Sequence, residues 1–150
     1  MIPLSDTMLP DPDRHAEFYA DVPTKRAIAW VIDTVLIALI TLVLVPLTAF
    51  TALFYLVFLF FTVSFLYRLL GLARKSATLG MRLMSIEFRD NRGQSFNLPT
   101  AFLHTLGYSV SMGFMPLQLV SIVLMLTTAR GQGLTDHVLG TVAMNRAARF

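Results

Sequence analysis

"AFLHTLGYSVSMGFMPLQLVSIVLMLTT", Ala101–Thr128, decides the fold. The block contains no Asp, Glu, Lys or Arg, and at about 1.5 Å per residue it is long enough to cross a hydrocarbon core of about 30 Å once. A single crossing would leave Arg130, Arg146 and Arg149 on the far side, against the rule that basic flanks stay cytoplasmic. The middle of the block reads "SMGFMP", with Gly113 and Pro116. Proline in a helix interior removes a backbone donor and clashes with the preceding turn. The pattern predicts a Gly/Pro-broken helical hairpin whose short halves enter and leave from one side, buried against other segments. The alternative is one kinked third span, since proline kinks occur in membrane helices.

Working outward, residues 34–67 form a second block free of Asp, Glu, Lys and Arg. The chain is 55% hydrophobic and only 14% charged, outside the range of soluble domains and well inside that of integral membrane proteins. Ala27–Val45 reads as a first transmembrane helix ended by Pro46, and Thr51–Leu70 as a second. The short uncharged link between them predicts a tight outward-facing hairpin, because Lys25 and Arg26 at one end and Arg68, Arg74 and Lys75 at the other mark the cytoplasmic side. The formal charge of +3 is explained by these flanks, so nucleic acid is not expected as a partner.

Residues 71–97 are the only substantial polar insert. Leu79–Ser85 reads as a short interfacial helix bearing Arg82, and "SIEFRDNRGQSF" as a small β-hairpin or extended polar turn. Leu98 and Pro99 restart a helix. The first 23 residues carry five acids against one arginine, which lacks the basic and apolar regions of a signal peptide. They are expected to form an acidic disordered tail ahead of a membrane domain over 24–146, followed by a short tail over 147–150. The fold class is an all-α membrane protein: two transmembrane helices, the interfacial helix with its polar turn, and the broken hairpin.

An aspartate inside a membrane helix needs a partner or water, since it costs about 2.5–3.5 kcal/mol on insertion scales. Asp33 lies seven residues after Arg26, so both point from one helix face, about 10 Å apart along the axis. That is too far for an ion pair with each other, and each is expected to meet another segment. Asp33 is either an ion or proton site or a structural aspartate; Arg26 is either a cluster member or a snorkelling anchor. In "ARGQGLTDHVLGT", Thr135 or Asp136 can cap a short helix, or Asp136 can meet Arg26 or Arg82 at the boundary. His104 is more simply an interhelical donor than a proton relay. His15, His104 and His137 have no metal-ligand spacing, there is no cysteine, and phosphate-loop and nucleophile motifs are absent, so no metal, cofactor or enzyme activity is expected. In "TLGMR", Gly80 permits close helix approach beside Thr78 and Arg82.

These elements in this order resemble the RDD family of bacterial membrane proteins, named for one arginine and two aspartates. "RAIAWVID" supplies Arg26 and Asp33, "LTDHVLGT" supplies Asp136 with His137, Gly140 and Thr141, and "ATLGMRLMSIEFRDNRGQSFNLPTAF" is similar to the family's linker. The resemblance spans about residues 22–146. It departs at His104, where many members carry arginine, which puts a weaker, pH-dependent cation at that point. The resemblance implies a multi-pass bacterial inner-membrane protein of a family in which transport-like activity is suggested for some members. The resulting expectation is a homo-oligomer in the lipid bilayer with both termini cytoplasmic, whose Arg26, Asp33 and Asp136 form a polar cluster for a cation, a proton or a small solute. The rival is a non-transporting scaffold or assembly factor whose insert, with Arg74, Lys75, Arg82, Arg89 and Arg92, docks a partner or anionic lipid.

Overall fold

The computed structural model describes residues 9–146; the expectations for Met1–Met8 and for the 147–150 tail lie outside the described residues. Six α-helices and one two-stranded sheet follow in order: α1 Val22–Leu47, α2 Leu56–Lys75, α3 Leu79–Leu83, β1 Ile86–Arg89, α4 Leu98–Gly113, α5 Met115–Thr127, α6 Leu134–Leu139 and β2 Val142–Asn145. Helices α1 and α2 are long and apolar enough to cross a membrane, and the bent pair α4–α5 is a third candidate. Only Leu72 of α2 is buried, as fits a helix whose surroundings are lipid.

The first helix starts earlier than its apolar run, at Val22, because Pro23 suits a first turn and needs no donor there. Pro46 lies inside its last turn. The link to α2 is tight: Ala49 and Phe50 both take positive φ, and the Phe50 N–H donates to the Val45 carbonyl at 3.0 Å. A 3-10 turn over Thr51–Phe54 precedes α2, which therefore begins at Leu56, later than the apolar run.

The Ala101–Thr128 block breaks at Phe114, whose backbone is extended, and the two helices bend by 116°. Both ends of the pair reach the same end of α1. Ahead of α4, the Phe96 N–H donates to Ser76 Oγ at the end of α2; beyond α5, Gly131 O accepts from Arg26 Nη1 at 3.2 Å. The sharp break is the observed form, and the bent pair fits a broken span or a re-entrant hairpin. Gly113 contributes little to it: a Cβ there would meet nothing within 4 Å. Gly113→Ala is expected to leave stability unchanged or raise it by up to about 1 kcal/mol, read as the melting temperature in detergent.

The insert departs from a local hairpin. Asp90 Oδ1 accepts from the N–H groups of Arg92 and Gln94, both at 2.9 Å, so "DNRG" turns the chain. But the strand it leaves, β1, pairs antiparallel with β2, Ile86 opposite Asn145 and Arg89 opposite Val142. The residues after the turn have no alternating apolar face to offer, whereas β2 is buried along its length. Part of the leader packs onto this sheet. Leu9, Phe18 and Tyr19 are buried against Val142 and Met144, and Asn145 Nδ2 donates to the carbonyls of Glu17 and Ala20. An acidic composition does not prevent packing when three apolar side chains find a sheet face to cover. The main core, including Val22, Ala29, Leu72, Met81, Ile86, Phe88 and Phe96, lies at this end of the helices, where the insert folds over them.

Candidate functional site

Asp136 is the third residue of α6, whose N-cap is Gly133. It is neither Thr135 nor Asp136 that caps the helix. Instead Asp136 Oδ2 reaches back to accept the Gly133 N–H at 3.0 Å, which places a negative group at the end of the helix where free N–H groups converge. The same oxygen accepts from Arg26 Nη1 at 2.6 Å, and Oδ1 accepts from His104 Nε2 and Thr141 Oγ1, each at 2.8 Å. Four donors occupy the roughly four acceptor positions of a carboxylate. Gly140, at φ 74°, ends α6 and turns Thr141 back onto Asp136.

The side chain of Asp136 is 1% exposed and that of Arg26 13%. Burial opposes the charged carboxylate, but the Arg26 guanidinium and the His104 contact outweigh it and hold Asp136 well below the ordinary carboxylate range. His104 Nε2 must then carry the proton it donates. The imidazole is held by Phe88 and Phe96, with ring centroids 4.3 and 5.6 Å away, and the Arg26 guanidinium lies 5.2 Å from the Phe88 centroid. His104 thus serves as a donor to the second aspartate.

Asp33 meets other elements. Its Oδ1 accepts from Tyr67 Oη at 2.6 Å and from the Gly80 N–H at 2.8 Å, and its Oδ2 accepts from Thr78 Oγ1 at 2.5 Å. Thr78 also caps α3, taking the Met81 N–H at 3.3 Å. Glycine at position 80 is required because α3 presses onto α1 between the Ala29 carbonyl and the Asp33 carboxylate. The bonds to Asp33 therefore tie α1, α2 and α3 together, and Asp33 keeps one acceptor position with no partner among the described residues.

Arg26 and Asp33 do not touch each other; each is bonded to a different neighbour. All three charged residues nevertheless line one cavity of about 630 Å³, which Thr78 and His104 also line. Arg82 is exposed and makes no ion pair among the described residues, and His137 is exposed with a local contact from Nδ1 to Gly133 O at 2.8 Å.

Sequence reasoning missed several contributors. Tyr67 and Tyr108 read as ordinary aromatic residues of apolar segments, and only their facing neighbours reveal the contacts of their hydroxyls. Ser76 takes a positive φ, donates to Phe88 O at 2.7 Å and accepts the Phe96 N–H at 3.0 Å, joining α2 to the insert. Lys25 Nζ donates to Asn145 Oδ1 at 2.6 Å. No local signal marks these long-range bonds.

A family model described as RDD family matches residues 21–140. No curated protein and no solved structure matches the chain. The matched span opens one residue before α1 and closes on the glycine that ends α6, taking in every group that binds either aspartate except Thr141, and the chain belongs to the RDD family.

Proposed function

We propose that the chain carries a small ion or solute across a bacterial inner membrane, with Asp33 as the group that takes and releases it. The observation that supports this reading is the difference between the two carboxylates. Asp136 is saturated by four donors, so it serves as the fixed counter-charge of Arg26; Asp33 has three donors and a spare acceptor position on the wall of the cavity. A proton or a small cationic group is what such a position accepts. Both termini are cytoplasmic in this reading. A second copy of the chain completes the wall, since α2 buries so little of its own surface.

The test is flux into proteoliposomes across protons, monovalent cations and small organic ions. Wild-type protein is expected to move at least one of them, and Asp33→Asn, checked as folded by gel filtration, to move it about tenfold more slowly or less, the factor that corresponds to about 1.4 kcal/mol. A wild-type protein that moves nothing in the panel overturns the reading. The scaffold reading draws on the saturation of Asp136, which suits a purely structural clamp, and on the exposed Arg82 of the insert. If wild type shows no flux while Asp33→Asn and Asp136→Asn both collapse the fold, the scaffold reading stands.

A further inference from the structure

Where α1, α2 and α4 meet, three side chains carry more donors than acceptors. Trp30 Nε1–H donates to Tyr108 Oη at 2.6 Å, and Arg68 Nη2 donates to the same oxygen at 3.1 Å. The Arg68 guanidinium also lies 3.8 Å from the Tyr108 ring centroid. With two N–H groups on its oxygen, Tyr108 has its own hydroxyl proton left over, and no acceptor for it stands among the described residues. Arg68 has no carboxylate at ion-pair distance among the described residues, and its Nε is buried without a hydrogen-bond partner. Asp33 lines the same cavity, but its bonds go to Tyr67, Thr78 and Gly80.

Arg68 lies seven residues before Lys75 on α2, about 10 Å deeper along the axis than the basic end of that helix. At that depth an arginine without a counter-ion is costly, and such residues draw an anion or mark a binding path. The group that completes this trio is an acceptor, and a negative one.

The surroundings indicate what carries the charge. A small cavity of about 70 Å³, lined also by Thr34 and Ser64, and the large one of about 630 Å³ share Trp30, Arg68, Tyr108 and Met112. The large cavity continues along Met112, Met115 and Met125. Unbranched, polarizable methionines adapt to flexible hydrocarbon, and the volume falls in the range of about 300–1,000 Å³ usual for ligand pockets. Thr105 Oγ1, buried without a partner, lines it as well. Trp30 is 40% exposed, so the trio is reachable from the surface of the helices.

We propose that this is a binding site for an anionic amphiphile, its carboxylate or phosphate held by Arg68 and the Tyr108 hydroxyl and its hydrocarbon tail lying along the methionine wall. The inference rests on the cavity being a ligand site, as in the transport reading, but it does not require transport.

Trp30 is the single tryptophan of the chain, which makes its fluorescence a local probe. The full chain in phosphatidylcholine vesicles is titrated with dibromostearic acid and with dibromostearyl alcohol; a second arm compares brominated phosphatidylglycerol with brominated phosphatidylcholine. Saturable quenching is expected, with the anionic probe of at least one arm favoured about tenfold or more over its uncharged or zwitterionic counterpart. The arm that shows the preference tells a free fatty acid from a phospholipid headgroup. Arg68→Gln is expected to erase the preference and Arg68→Lys to keep part of it. Equal quenching within both arms overturns the proposal, as does a folded Arg68→Gln protein that retains the full preference. If Arg68→Gln does not fold, the wild-type comparison decides together with Tyr108→Phe, which keeps the ring under the guanidinium and is expected to weaken the anionic probe several-fold; an unchanged preference in Tyr108→Phe removes the hydroxyl from the site. A protein that shows the preference but no flux in proteoliposomes loses the transport reading and keeps this site.

Discussion

Asp136→Ala is expected to destabilise the protein by about 3–5 kcal/mol, the cost of removing one partner from a buried ion pair. The truncation leaves Arg26 without its carboxylate and strips the acceptor from His104 Nε2, Thr141 Oγ1 and the Gly133 N–H together. Against a total stability of about 5–15 kcal/mol such a loss puts much of the protein near its unfolding threshold. The measurement is the fraction surviving as a monodisperse peak after graded heating in detergent. Asp136→Asn keeps one carbonyl acceptor and is expected to fall between alanine and wild type. An alanine variant within about 1 kcal/mol of wild type would show that the four bonds contribute no more than an ordinary surface contact.

The same clamp sets a pH dependence with a definite sign. Asp136 is held well below the usual range in the folded chain by Arg26 and His104, while unfolded it titrates near about 3.9. As pH falls, the unfolded state binds the proton first. The contribution of the clamp is therefore complete above about pH 4 and is lost as the pH drops toward the folded value. The melting-temperature gap between wild type and Asp136→Asn narrows below about pH 4.

Gly80→Ala is the second large effect. A Cβ at that position would overlap the Ala29 carbonyl oxygen and stand 2.7 Å from Asp33 Oδ1 and 2.9 Å from its Cγ. Neither can yield cheaply: the first is backbone of α1, and the carboxylate is fixed by Tyr67 and Thr78. The helix α3 must lift, and the bond from the Gly80 N–H to Asp33 lengthens or breaks. Overpacking together with a weakened charged hydrogen bond gives an expected cost of about 3 kcal/mol or more. A melting temperature within about 2 °C of wild type would mean that α3 moves freely on α1. The contrast with Gly113, also in a helix but facing open space, isolates close approach as the cause.

How much of this could be read in advance depended on the range of the interaction. The two long helices and the break near Gly113 and Pro116 are written in local hydropathy and in proline's missing donor, so sequence alone reaches them. Placement at the cytoplasmic boundary offers Asp136 either Arg26 or Arg82, and only the docked α6 selects Arg26. The β1–β2 pair is a different case. The stretch holding β1 reads as a strand, but four residues carry too little periodicity to name their partner, and the register is chosen by a segment far along the chain. The packing of Leu9, Phe18 and Tyr19 was hidden for the same reason: the surface they cover exists only once β2 is in place. Arg68 fits a generic boundary role and Trp30 and Tyr108 read as ordinary aromatics, and their shared lack of an acceptor emerges only when three helices are brought together.

That long reach has a consequence for biosynthesis. Arg26 and Asp136 are 110 positions apart, and Lys25 and Asn145 are 120. At about 5–20 residues per second, a ribosome needs roughly 5–20 s after making Arg26 before the carboxylate that neutralises it is synthesised. For that interval Arg26 lacks its carboxylate, and β1, once made, waits for β2 with an open edge. A segment made more than a hundred residues later is the one that locks the first helix, so maturation of the fold is timed by the arrival of "LTDHVLGTVAMN" and not by insertion of the helices.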